Sequence, residues 1–372
     1  MEGQQILSPN NDFAAISSYL TDKGVKNILL VHGQSARKLE VGKYFLDLPR
    51  RLGIEVRSFT DFSPNPAYDS VVKGVEILRR DNCDAIAAIG GGSAMDVAKC
   101  IKLFAELDPN ENYLRQEARA NDILLLVAPT TAGTGSEATK YAVIYYEGKK
   151  QSVTHESIIP AAVCFDSDAL KNLPEYHRKA AMLDAMCHAV EAWWSVNSDN
   201  ESRKYSAAAI KIILANYRKY LAGDEATFAA MMQAANLAGK AINITRTTAG
   251  HAMCYGLTSR FGFAHGHAAA LCNAALWPYM LEHIGDCVDP RGGYWVQENF
   301  LCLDRLISEN GAPDAPAVFS RLIDELELDA PVGNEADIEE LTETVNPERL
   351  RNNPVRLDRV AFRTLYQRIF KK

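Results

Sequence analysis

The chain has 372 residues, 47% hydrophobic and 23% charged, a balance that suits a soluble globular protein with room for two cores. Its formal net charge of −7, with no basic block, argues against nucleic acid or an anionic membrane as partner. No apolar run approaches the roughly 18 residues of a membrane span, and the polar opening MEGQQILSPNND does not read as a signal peptide.

Taken in order, the first half alternates strand and helix. Asn27–His32 (NILLVH) reads as a strand, followed by a charged helical stretch containing ARKLEVGKYFLDL. Gly53–Phe59 is a second strand, Tyr68–Arg80 a helix, and Asp84–Ile89 a third strand running into Gly90-Gly91-Gly92-Ser93 and a helix from Ala94 to Phe104. Ile123–Ala128, Tyr141–Tyr146 and Ala161–Asp166 complete the strands, with a polar turn at Glu147–Lys150. Continuous apolar strands alternating with helices predict a parallel sheet covered on both faces. From about Pro174 strand-like runs almost vanish, and Ala-, Leu- and Met-rich segments predict an all-helical second domain. The expected division is 1–170, an α/β nucleotide-binding domain, and 171–372, a helical metal-binding domain, with a ligand cleft at the junction. The arginine-rich tail after Asn346 reads as a docked surface helix. The eight cysteines are scattered, with no CxxC pair, as expected in a reducing cytoplasm.

Gly250–His267 (GHAMCYGLTSRFGFAHGH) packs three of the eight histidines into eighteen otherwise apolar or small residues. Asp184 and His188 lie four apart in LDAMCHAVEAWW, so a helix presents both on one face. With His251 and His265 they form an Asp-His-His-His set for one divalent ion. Gly90–Lys99 (GGGSAMDVAK) sits at a strand-to-helix switch, where Gly90, Gly91, Gly92 and Ser93 allow close backbone approach and free helix N–H groups favour a phosphate. It is not GxGxxG, and the competing reading is a tight turn needing positive φ. Asp96 would cap or face the ligand, and Lys99 reads as a solvated helix residue. Pro129–Thr139 (PTTAGTGSEAT) concentrates donors, Thr130, Thr131, Thr134 and Ser136, that suit ribose, phosphate or nicotinamide. After the first strand, where such folds often carry an acidic ribose ligand, stands Gly33, with Ser35, Arg37 and Lys38 nearby. An absent carboxylate and available cations favour NADP(H) over NAD(H).

GGGSAMDVAK, PTTAGTGSEAT, the D-x-x-x-H of Asp184 to His188 and the H-x13-H of His251 to His265 together resemble the iron-containing (group III) alcohol dehydrogenase family over nearly the whole chain. The resemblance implies the dehydroquinate synthase-like fold, an α/β dinucleotide-binding domain followed by a helical domain. It further implies Fe²⁺, or Zn²⁺ in some members, held by Asp184, His188, His251 and His265, and a homodimer. His and carboxylate donors do not by themselves decide between those metals. The expected chemistry is NAD(P)-linked reduction of a carbonyl polarised by the ion, with a proton delivered through a hydroxyl or imidazole. Many relatives carry another histidine four residues after the ligand matching His251. Tyr255 stands there in this chain, so Tyr255 and the nearby His267 are the candidates for catalytic roles, with anion binding or packing as alternatives for His267. The segment Ile244–Leu271 (ITRTTAGHAMCYGLTSRFGFAHGHAAAL) looks most like the phosphonoacetaldehyde reductase branch, whose product is 2-hydroxyethylphosphonate. Arg246, Arg260 and Lys140 are candidate partners of a phosphonate dianion, unless the arginines form structural ion pairs. Reduction of simple short-chain aldehydes is the alternative, ahead of a dehydroquinate synthase-type cyclase.

Overall fold

The computed structural model describes residues 4–308, 314–345 and 350–370. The chain divides into two compact units, Met1–Asn172 and Leu173–Lys372.

The first unit is built on a six-stranded parallel sheet in the order β1-β8-β5-β4-β2-β3. The strands are β1 (Gln5–Leu7), β2 (Asn27–His32), β3 (Glu55–Phe59), β4 (Ala85–Gly90), β5 (Leu124–Pro129) and β8 (Ala162–Cys164). Helices α1 (Asn10–Asp22), α2 (Glu40–Leu46), α3 (Leu48–Leu52), α4 (Tyr68–Arg80) and α5 (Gly92–Phe104) connect them. Because strand side chains alternate, each strand feeds two cores. Leu29, Val31, Ile86, Ala88, Leu125 and Val127 pack with Val71 and Val75 of α4 and Ile101 of α5. Ile28, Leu30, Ala85, Ala87, Ile89 and Leu126 pack with Ile16 and Leu20 of α1 and Phe45 of α2. Both faces are therefore apolar, which explains the continuous rather than alternating hydrophobic runs. Outside this sheet, β6 (Tyr141–Tyr146) and β7 (Lys149–Thr154) form an antiparallel hairpin. Its two turn residues, Glu147 and Gly148, have φ of 49° and 70°, the positive values a tight hairpin turn requires.

Topology then places the loops. The chain runs from β2 outward to β3, returns to β4 on the other side of β2, and continues to β5. The winding direction thus reverses between β2 and β4, and ligands of such sheets bind beyond the carboxyl ends at that reversal. Register brings the ends level: His32 opposes Ile89, Ile89 opposes Ala128 and Gly90 opposes Pro129. The loops starting at Gly33, Gly91 and Thr130 consequently leave the same sheet edge side by side.

The regular elements of the second unit are helices, with one isolated antiparallel bridge between Cys287 and Val355: α6 (Glu175–Trp194), α7 (Asn200–Leu221), α8 (Phe228–Thr245), α9 (Ala249–Phe261), α10 (His265–Glu282), α11 (Gly293–Ile307), α12 (Ala315–Glu325), α13 (Glu335–Thr344) and α14 (Arg359–Ile369). The α6 helix packs against α7, α8 and α10, so it is covered on most sides. That explains why LDAMCHAVEAWW is nearly all buried. The arginine-rich tail does dock as a helix, α14, against α10 and α13 through Phe362, Leu365 and Tyr366; residues 346–349 lie outside the described ones. No described helix is long and apolar enough to cross a membrane.

Candidate metal centre and nucleotide loops

Asp184, His188 and Glu191 project from one face of α6, His251 from the first turn of α9, and His265 from the start of α10. Gly262, left-handed at φ 72°, ends α9 and turns the chain into α10. Close approach of α10 to α6 depends on Gly266, where a Cβ would lie 2.0 Å from the Ala180 carbonyl oxygen. Donor atoms of Asp184, His188 and His251 all lie within 4.8 Å of one another. The His188 and His251 rings stack at 4.6 Å, and the His265 ring stands 5.3 Å from that of His251. Asp184, His188 and His251 are buried; His265 is half-buried, which leaves the cluster open on its side.

The electrostatics of this cluster suit a cation. Asp184 Oδ1 and His251 Nε2 face each other at 3.5 Å, buried, and neither makes a hydrogen bond. The Nδ1–H of His251 donates to Glu191 at 2.5 Å, so in the neutral ring Nε2 points a lone pair at a carboxylate oxygen, and, against burial, the two carboxylates raise the ring's affinity for a cation at Nε2, a proton included. Two buried acceptors aimed at one point call for a positive charge between them. Burial alone would raise the Asp184 carboxyl, but the facing imidazoles of His188, His251 and His265, when protonated, hold it well below the usual carboxylate range, standing where a metal cation would. Burial likewise favours neutral Glu191, and the His251 ring outweighs it, bringing the carboxyl down to about 2. The donor set fits a divalent ion.

Around this cluster the candidate catalytic and substrate residues fare differently. Tyr255 stacks on His265, ring centroids 5.6 Å apart. His267 is buried and both its ring nitrogens are engaged, Nδ1 with the Tyr176 hydroxyl at 3.2 Å and Nε2 with the Asp329 carbonyl at 3.0 Å. A neutral ring donating from Nε2 satisfies both contacts. His267 is thus held in the wall of the cluster by both ring nitrogens, the packing alternative among those expected of it. Arg260 is tied to Asp337 and Glu340 of α13, its Nη1 donating to Glu340 at 2.5 Å, the ion-pair arrangement expected as the alternative to substrate binding. Lys140 pairs with the exposed Glu156 at 2.7 Å. Arg246 is exposed at the end of α8 with φ 59° and ψ 177°, a conformation strained for any side chain. Neighbouring contacts enforce it: the Thr245 carbonyl accepts from Ser195 and Asn197, the Thr247 carbonyl accepts from Asn352, and the Thr248 N–H donates to Glu191.

In the first unit, the glycines of GGGS serve close approach rather than positive φ, since none of Gly90, Gly91 and Gly92 is left-handed. A Cβ on Gly92 would meet Thr134 at 3.1 Å, so the two loops interlock. Ser93, Thr130, Thr131 and Thr134 stay partly exposed beside the N-terminus of α5, and Ser35, Arg37 and Lys38 are exposed beyond Gly33. Ser136 and Asp96 instead support the threonine loop from behind: the Ser136 hydroxyl donates to Asp96 at 3.0 Å, and the Val143 N–H donates to the same carboxylate at 3.1 Å. Lys99 is not a solvated residue. It is fully buried, with its ammonium within 2.5–3.1 Å of the Ser136, Thr139 and Tyr141 carbonyls and the Ser136 and Thr139 hydroxyls. Burial pushes its pKa down to about 8, against the attraction of Asp96.

Glu191 and Lys99 are the two residues whose part sequence reasoning missed. Both left a faint signal: each is a charge in a largely apolar helix, at i+3 from His188 and from Asp96 respectively.

A parallel α/β unit with phosphate-suited loops, followed by a helical unit carrying a buried Asp-His cluster, defines a metal- and nucleotide-linked class of enzyme. Comparison with known proteins is specific. Residues 3–167 match the model of iron-containing alcohol dehydrogenase, and residues 179–368 match that of the C-terminal region of the Fe-containing alcohol dehydrogenase family. The chain belongs to the iron-containing alcohol dehydrogenase family and is an oxidoreductase. It is 33% identical over 310 residues to phosphonoacetaldehyde reductase of Streptomyces viridochromogenes, covering 78% of this chain and 77% of that one. It is 30% identical over 313 residues to long-chain-alcohol dehydrogenase 1 of Geobacillus thermodenitrificans, covering 78% of each. The solved structure of an iron-containing alcohol dehydrogenase from Thermococcus thioreducens superposes with a TM-score of 0.88 at 21% identity, covering 99% of this chain and 98% of that one.

Proposed function

We propose that this enzyme reduces a short aldehyde bearing an anionic group, phosphonoacetaldehyde first, to the corresponding alcohol with NADPH. The observation that carries the reductase reading is the cluster in which Asp184 Oδ1 and His251 Nε2 face each other, buried and unbonded. In this reading Asp184, His188, His251 and His265 hold Fe²⁺ or Zn²⁺. When bound, the ion supplies Lewis acidity toward a carbonyl and the reduced nicotinamide supplies a hydride. The chain's own residues do the rest. Gly90, Gly91, Gly92, Ser93, Thr130, Thr131 and Thr134 take the cofactor's phosphates and ribose, and Gly33 with Ser35 leaves room for a 2′-phosphate near Arg37 and Lys38. The Tyr255 hydroxyl delivers the proton on the half-open side of His265. Arg246 meets the substrate's anionic group; its exposure and its enforced backbone conformation, five residues before a ligand, support that role.

The preference for a phosphonate rests on the relative from Streptomyces viridochromogenes. The long-chain-alcohol relative favours a second reading, an uncharged aldehyde or alcohol as substrate. Eight cysteines with no disulfide among the described residues support a reducing cytoplasm, and a homodimer belongs to the same reading. The deciding assay is NADPH oxidation by Fe²⁺-loaded protein with phosphonoacetaldehyde against propionaldehyde, wild type beside Arg246→Ala. A large phosphonate preference, lost in the variant, is expected. Equal or faster turnover of propionaldehyde discards the phosphonate and keeps the reductase.

A further inference from the structure

We infer that Glu191 is a positioning residue for the metal centre, fixing the tautomer and aim of His251. The inference rests on His251 being a metal ligand, as proposed above.

Glu191 is fully buried, and a carboxylate there is tolerable only if its lone pairs are taken. Four donors take them. Oε1 accepts from His251 Nδ1 at 2.5 Å and from Asn273 Nδ2 at 2.8 Å; Oε2 accepts from the Thr248 N–H at 2.6 Å and the Thr248 hydroxyl at 2.8 Å. The Thr248 hydroxyl accepts in turn from the Trp194 indole N–H at 2.9 Å, so its own proton is committed to Glu191. The network joins α6, α10 and the N-terminus of α9. Its consequence is chemical as well as structural. With Glu191 accepting, the ring proton of His251 sits on Nδ1, and Nε2 keeps its lone pair directed at the point Asp184 also faces. An amide at position 191 has only one oxygen, so it cannot accept from both Thr248 and the His251 ring. An unguided ring is free to carry its proton on Nε2, where it blocks a cation.

The test is chelator-competition titration of Zn²⁺ into the full-length apo-protein, for wild type, Glu191→Gln, Thr248→Val and His251→Ala. The visible absorption of the Co²⁺ form is recorded alongside. Glu191→Gln is expected to weaken Zn²⁺ binding about 10- to 100-fold and to alter the Co²⁺ bands, while Glu191→Asp recovers part of the affinity. Thr248→Val, which removes one donor, weakens binding several-fold. A folded Glu191→Gln protein with wild-type affinity and Co²⁺ spectrum overturns the inference; if that variant does not fold, an unchanged Thr248→Val protein does the same. His251→Ala separates the two layers. Loss of binding there with Glu191→Gln unaffected removes only the role of Glu191, whereas unchanged binding in His251→Ala removes the ligand assignment and the inference with it.

Discussion

Replacing Lys99 by Met tests how the threonine loop is held. The methionine fills similar volume but takes the shared ammonium from the Ser136, Thr139 and Tyr141 carbonyls; Ser136 keeps the Thr139 N–H and hydroxyl and Tyr141 keeps a long contact to the Thr139 hydroxyl, so the Thr139 carbonyl loses most. Each buried acceptor left unsatisfied costs about 1–3 kcal/mol. Against that loss, removing the charge relieves the net penalty of burying it beside Asp96 and Glu137, which the fall from an ordinary 10.5 to about 8 puts at about 3 kcal/mol. The net expectation is about 2 kcal/mol of destabilisation at pH 7, a lower urea midpoint with unchanged slope, and weaker NADPH binding because Ser136 lies in the loop. The pH dependence has a definite sign. A folded pKa below the unfolded value means the unfolded chain holds the extra proton between about pH 8 and 10.5. The stability tied to this group is fully present above about pH 10.5 and is lost as pH falls through about 8. The gap between wild type and Lys99→Met should therefore widen as pH rises from 7 to 10. A variant as stable as wild type at pH 7, or a gap that narrows toward pH 10, refutes the reasoning.

Other expectations follow from single contacts. Gly33→Asp places a carboxylate where a ribose hydroxyl would bind and should shift preference from NADPH toward NADH, measured as the ratio of kcat/KM values; an unchanged ratio means the ribose site is elsewhere. Gly266→Ala drives a methyl into the backbone oxygen of Ala180, 2.0 Å away, and should cost about 2 kcal/mol or more of stability by urea unfolding, with metal affinity falling as α10 is pushed from α6. Arg260→Ala should leave aldehyde turnover within about twofold of wild type while lowering stability by no more than about 1 kcal/mol, because the guanidinium serves Asp337 and Glu340 on a partly exposed face. A steep loss of turnover would return Arg260 to the substrate site.

The parts of the molecule that follow local rules were legible. Strands β2, β4 and β5 announce themselves because both faces of a covered parallel sheet must be apolar, and their observed limits fall within a residue of the expected ones. Asp184 and His188 were visible as a pair because helix geometry alone puts i and i+4 on one face. Three-residue β1 offers too short a run to register, and β7 (KKQSVT) is polar on most of its length, held by its hairpin partner rather than by burial. The residues whose surroundings stayed hidden are those whose partners lie far along the chain. Arg260 meets Asp337 77 residues away and Lys99 meets Ser136 37 away, distances over which spacing carries no information. Glu191 belongs to this group, since its meaning appears only when α9 and α10 bring His251 and Asn273 to it.

In the proposed function Asp184, His188, His251 and His265 hold a single catalytic ion. The direct measurement is metal content and NADPH-linked aldehyde reduction after chelator stripping and Fe²⁺ reloading, for wild type and His188→Ala. One ion per chain with turnover restored in wild type, and neither in His188→Ala, is the predicted result. Full turnover by the stripped protein, or unchanged metal content and activity in His188→Ala, would contradict it.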